Sequence, residues 1–162
     1  MDILIAGVGN VLRGDDGFGV HAARALASKT LPSGVRVAEL GISGLALVHE
    51  ILDGCDACII VDAVRRGGQP GTLYVLRPRE FGPPTALQQE IDLHTTEPGR
   101  ALALAKAWGA RPKQVYVVAC EPQQTEELSE QLSDAVEAAV QPTITAVFRL
   151  VEELQKTNSA EE

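Results

Sequence analysis

Basic residues are scarce in this chain. Lys and Arg number 14 against 22 Asp and Glu, a net charge of -8 at pH 7. That deficit excludes nucleic acid or an anionic membrane as the expected main partner, and favours a cation or a basic partner. Cysteine is also rare: 3 residues, an odd number with no disulfide framework, which places the protein in the cytoplasm. The first apolar run lacks a basic flank and is broken by Gly7, Gly9 and Asn10, so neither a secretion signal nor a membrane span is expected. No internal repeat and no Pro/Gly/Ser-rich linker divides the 162 residues. A composition 45% apolar and 22% charged is that of a globular chain. We expect one domain over residues 1–156, with 157–162 as a frayed tail.

What is present is organised around the first stretch. Ile3 to Val8 is a continuous apolar run, the pattern of a strand buried on both faces. A Gly/Asn loop and two adjacent acids, Asp15 and Asp16, precede helical spacing from Gly17 to Lys29. Val35–Leu40 reads as a second strand. Ser43 is suited to cap a helix carrying Leu45, Val48 and Leu52. Asp56–Asp62 is a third strand, with a two-sided apolar run from Ala57 to Val61 that ends in a carboxylate. Two right-handed crossovers give the parallel order 2-1-3, so strands one and three open their carboxyl ends onto one crevice. Asp16 and Asp62 meet there by topology alone.

The turn Arg65–Gly71 is too short for a crossover, so Thr72–Leu76 is expected to run antiparallel to the others, giving a mixed sheet. Pro78–Glu90 reads as loop. A helix from Pro98 to Trp108 has Thr96 or Glu97 as its cap. Gln114–Cys120 is the last strand, and Glu126–Val140 and Pro142–Lys156 are the closing helices.

Asp16 by itself is read as a helix cap, and Asp62 as a structural acid bonded to loop amides. Side by side, the two carboxylates need a cation or a shared proton to relieve their repulsion. His94 is the one histidine outside an expected helix, since His21 and His49 flank helical apolar faces. Asp16, Asp62 and His94 together form an O/O/N set able to hold a divalent metal with open positions. Cys55-Asp56-Ala57-Cys58 has C-x-x-C spacing but enters a strand and has no second pair, so Cys58 is read as core. Gly7-Val8-Gly9 lacks the third glycine of a dinucleotide fingerprint. Neither a G-x-S-x-G elbow nor an H-E-x-x-H helix occurs. Glu121 is read either as a supporting acid or as a polar strand end.

Gly7-Val8-Gly9-Asn10-x-Leu12-x-x-Asp15-Asp16-Gly17-x-Gly19, then Ile60-Val61-Asp62-Ala63, then His94, resemble the hydrogenase maturation endopeptidases over nearly the whole chain. The resemblance implies a three-layer α/β/α, phosphorylase/hydrolase-like fold. Its five-stranded mixed sheet has the order 2-1-3-5-4, with strand 4 antiparallel. It implies that Asp16, Asp62 and His94 are the metal-contacting and catalytic residues, and that Gly41-Ile42-Ser43-Gly44 serves substrate recognition. The implied reaction removes the carboxy-terminal extension of a nickel-iron hydrogenase large-subunit precursor. No resident cofactor is implied, because the nickel arrives with the precursor. An acid acting as general base on water remains a competing role for Asp16 or Asp62. The alternative functions are a non-catalytic nickel chaperone for hydrogenase assembly, and a nucleotide-binding module using the glycine loop.

Overall fold

The first strand decides the layering. In the computed structural model, which describes residues 1–81, 85, 88–93, 96–110 and 112–161, β1 (Ile3–Val8) is buried at every position. Successive side chains of a strand point to opposite faces. Ile3 and Ile5 enter one core, while Leu4, Ala6 and Val8 enter the other. This two-sided burial is why the run is apolar without alternation.

On the first face lie α1 (Phe18–Ala27) and α5 (Val140–Glu161), which bring Phe18, Ala22, Leu26, Val147, Val151 and Leu154 into the core. On the second face lie α2 (Gly44–Leu52) and α3 (Glu97–Ala107), through Leu47, Val48, Ile51, Ala101 and Ala105. The expected Ser43 cap is present: its hydroxyl accepts from the Ala46 amide at 3.1 Å. Thr96 likewise caps α3 by accepting from Gly99 N at 3.1 Å.

The remaining strands are β2 (Val35–Gly41), β3 (Ala57–Ala63), β4 (Leu73–Pro78), β5 (Gln89–Ile91) and β6 (Gln114–Cys120). β1 pairs in parallel with β2 and β3, β3 pairs in parallel with β6, and β4 runs antiparallel to β6. The mixed α/β/α architecture and the reversed fourth strand therefore stand. The five-strand order does not: among the described residues the sheet has six strands in the order β2-β1-β3-β6-β4-β5. The added strand lies within the stretch read as loop. Three residues at a sheet edge, paired only with β4, are too few to show a period-2 pattern.

A second correction concerns residues 126–140. Only Asp134–Glu137 (α4) is helical before α5, and α5 begins at Val140 and continues to Glu161. Pro142 sits in the first turn of α5, where a missing N–H is tolerated. The 122–133 segment is held open by Asp15, whose carboxylate is fully buried. Its Oδ2 accepts from the amides of Gln123 and Gln124 at 2.8 and 2.9 Å and from the Ser133 hydroxyl at 2.9 Å. Its Oδ1 accepts from Ser133 N at 2.7 Å. Amides bonded to a distant carboxylate cannot also join a helix. Burial alone would push the Asp15 pKa up, but these donors outweigh it and hold the carboxyl below its usual range.

The close approach of α1 to the sheet depends on glycine. A Cβ at Gly19 would stand 2.1 Å from Val61 O and 2.3 Å from Val8 O. Gly19→Ala is expected to lower stability by about 3 kcal/mol, read by chemical denaturation. Asp15→Asn is expected to destabilise as well, because an amide group must turn an N–H toward one of the donors. A carboxyl with depressed pKa stabilises above its unfolded value of 3.8 and loses that contribution as pH falls through the folded value. The gap between wild type and Asp15→Asn should therefore be full at neutral pH and shrink below about pH 4.

Candidate active site

The carboxyl ends of β1 and β3 are adjacent, with Gly7 in register with Val61. The chain leaves β1 through Gly9, whose φ of +127° and contact with Asp16 O (1.9 Å from an added Cβ) admit no side chain. Asn10 then turns the loop: its Oδ1 accepts from Leu12 N at 3.0 Å, and its own N–H donates to Asp16 Oδ2 at 2.9 Å. Asp15 and Asp16 share the single 3-10 turn Gly14–Gly17 that leads into α1. The two acids divide the work. Asp15 faces inward to the 122–133 loop, and Asp16 faces an open cleft.

That cleft has a volume of about 230 Å³ and is the place where the expected residues converge. Asp16 comes from the first loop, Asp62 and Ala63 from the end of β3, and Gly41–Gly44 from the β2–α2 connection. Thr96, Glu97 and Pro98 supply the opposing wall from the start of α3. The topological expectation that Asp16 and Asp62 share one crevice is met. His94 lies outside the described residues, two positions before Thr96 in sequence. Among the described residues, no group of three His, Cys, Asp or Glu side chains is placed to hold a metal.

Asp62 is half-buried at the strand end, and its Oδ1 accepts from the Ala63 amide at 2.8 Å. Burial raises its pKa, the Ala63 hydrogen bond pulls it back, and the nearby Asp16 charge raises it again, to about 8. The Asp62 carboxyl thus has a proton affinity well above the ordinary carboxylate range. The repulsion anticipated between the two carboxylates is visible in that shift.

Glu97 is a cleft residue that the sequence reading treated only as a possible cap. Thr96 takes the cap, and the exposed Glu97 carboxylate reaches Arg100 at 2.9 Å while lining the cleft. An acid in the first helical turn carries no further signal in the sequence, since the helix dipole favours one at any helix start.

The other candidates fall outside the cleft. Glu121 is buried and binds the turn after β3: its carboxylate accepts from Arg66 N at 2.9 Å, Gly67 N at 3.3 Å and Tyr74 Oη at 2.9 Å. Burial pushes its pKa up, but these donors outweigh it and leave the carboxyl below its ordinary range. It is a structural clasp for residues 66–68. Cys55, Cys58 and Cys120 are free thiols. Burial pushes Cys58 strongly upward, Cys55 to about 11 and Cys120 to about 12, so none is a thiolate at neutral pH. His21 is half-buried and His49 exposed, and neither lines the cleft. No helix among the described residues is long and apolar enough to cross a membrane.

Comparison with known proteins gives a consistent result. The HycI family model, hydrogenase maturation protease, matches residues 20–150. The hydrogenase expression/formation protein HoxM of Azotobacter vinelandii is 33% identical over 153 residues, 94% of this chain and 73% of that protein. The hydrogenase 2 maturation protease of Escherichia coli (strain K12) is 31% identical over 155 residues, 94% of this chain and 92% of that protein. Among solved structures, the hydrogenase maturating endopeptidase HybD from E. coli matches with a TM-score of 0.77 at 30% identity, covering 94% of this chain and 93% of that one. On fold and sequence, the chain belongs to the hydrogenase maturation protease family and is a peptide hydrolase.

Proposed function

We propose that this chain removes the carboxy-terminal extension of a nickel-iron hydrogenase large-subunit precursor by a single peptide cleavage, after nickel has been inserted. In this reading the nickel is part of the substrate, and Asp16, Asp62 and His94 recognise it. The observation that carries the reading is that Asp16 and Asp62 line one cleft, whose far wall begins two residues after His94.

The chain's own groups support this assignment. The Asn10 amide orients the Asp16 carboxylate toward the cleft. Asp62 keeps its proton until a cation favours its ionised form, so a metal-bearing substrate is the natural trigger for its deprotonation. Docking of the substrate's metal against these side chains would fix the scissile segment along the Gly41–Gly44 loop, where Ile42 is 72% exposed. Fixing the segment there gives proximity and orientation to the cleavage step. The acidic balance of the chain and its free thiols go with a cytoplasmic enzyme and a protein partner, with no role for nucleic acid or membrane.

Mass spectrometry of a nickel-loaded precursor incubated with the purified chain should show a shortened large subunit, while nickel-free precursor stays full length. Asp16→Asn, Asp62→Asn and His94→Ala should each slow cleavage by roughly a hundredfold or more. An uncut nickel-loaded precursor would overturn the reading. Loss of fold is checked separately. A carboxyl whose pKa is raised on folding weakens the native state increasingly as pH rises from its unfolded value to its folded one. In the metal-free protein, the melting advantage of Asp62→Asn over wild type should thus be absent below about pH 4, grow through pH 7 and level off above about pH 8.

A further inference from the structure

Two exposed leucines stand at neighbouring positions, one on the loop that carries Asp16 to the cleft and one on the 122–133 loop bridged to it. Arg13 and Ser129 form an isolated parallel bridge. Ser129 N donates to Leu12 O at 3.0 Å, and Gly14 N donates to Ser129 O at 2.7 Å. One residue back from the bridge on each chain come Leu12, 52% exposed, and Leu128, 84% exposed. A lone exposed leucine on a mobile loop is ordinary. These two are held at neighbouring positions by a backbone that has little freedom to fold them inward. Asp15 N donates to Gln124 O at 2.9 Å, and the Asp15 carboxylate binds both ends of the same loop, at Gln123, Gln124 and Ser133.

The Leu12 loop is also the Asp16 loop. Gly9 lines the cleft, and Asn10 bonds both Asp16 and the Leu12 amide. A cleft of about 230 Å³ can take a short segment of substrate. A specific contact with a folded protein needs roughly 800 Å² on each partner, so such a substrate must also touch the surface around the cleft. Glu126, Glu127 and Glu130, all exposed, lie within two residues of Leu128 along a chain of net charge -8. The complementary surface is an apolar spot with a basic border.

We propose that Leu12 and Leu128 form an apolar docking spot for the folded body of the hydrogenase large-subunit precursor, outside the cleft that takes its scissile segment. The inference rests on the proposed function for its choice of partner. It assigns the 122–133 loop a purpose beyond packing: the Asp15 clasp that sets the catalytic turn also sets this second contact.

The test measures binding and cleavage of a full-length, nickel-containing large-subunit precursor from the same organism. Wild type is compared with Leu12→Ser/Leu128→Ser, and with Leu128→Ser alone as the milder variant. The double variant should melt like wild type, bind the precursor roughly tenfold more weakly and show KM raised by the same factor, with kcat unchanged. Leu128→Met, which keeps an apolar side chain, should restore most of the affinity. Unchanged precursor affinity in the double variant overturns the proposal. So does a change in the oligomeric state of the chain with unchanged precursor affinity, which would assign the patch to a second copy. Weakened binding by the variant, with no cleavage by wild type, would support the docking spot while removing the proposed reaction. Absence of binding by wild type would remove both.

Discussion

The site depends on the distance between a helix and two strand ends. α1 enters the sheet layer where Gly19 lies against the Val8 carbonyl of β1 and the Val61 carbonyl of β3, with room for no Cβ on that side. Gly9 makes the same concession from the loop, where its Cα faces Asp16 O. These contacts draw the 3-10 turn down onto the end of β3. Without them Asp16 would stand off from Asp62, and the charge on one would not register in the proton affinity of the other. Burial is the main reason the Asp62 pKa is raised, and the Asp16 charge that this packing brings near adds to it.

The two acids of that turn show how one local sequence supports opposite chemistries. Asp15 and Asp16 are neighbours on the chain, yet one carboxylate is saturated by donors from residues 108 to 118 positions away, while the other accepts a single amide and faces the cleft. The saturated one anchors the turn, and the sparsely bonded one lines the cleft. A carboxylate with four donors has no lone pair to offer a substrate. Anchoring the turn and facing the cleft thus fall to two residues, and the sequence supplies them side by side.

This also explains what was legible beforehand. The two-sided apolar runs of β1 and β3, the Ser43 and Thr96 caps and the short turn before β4 are local signals, and the structure follows them. The meeting of Asp16 with Asp62 follows from strand order alone. The division of labour between Asp15 and Asp16 was not legible, because the donors that settle it lie on a loop distant in sequence. For the same reason residues 126–132 read as helix: their periodicity is helical, but the loop that contains them is pinned at its ends by Asp15 and by the Arg13–Ser129 bridge. β5 escaped notice because three edge residues carry no pattern, and Glu97 because acids at helix starts are common.

The proton on Asp62 bears on how the proposed reading would work. A free divalent ion entering the cleft must displace that proton and then satisfy its remaining positions with water. A metal already held in a substrate arrives with its other ligands in place, and its neighbours bring the rest of the contact surface. The expense of ionising Asp62 is then met only when the correct protein is docked. A permanently ionised, fully solvated pair of carboxylates would offer no such discrimination, since it would attract any cation in solution. Under the proposed reading, half-burial of Asp62 beside Asp16 would serve selectivity, and the close approach of α1 at Gly19 helps keep the two acids together.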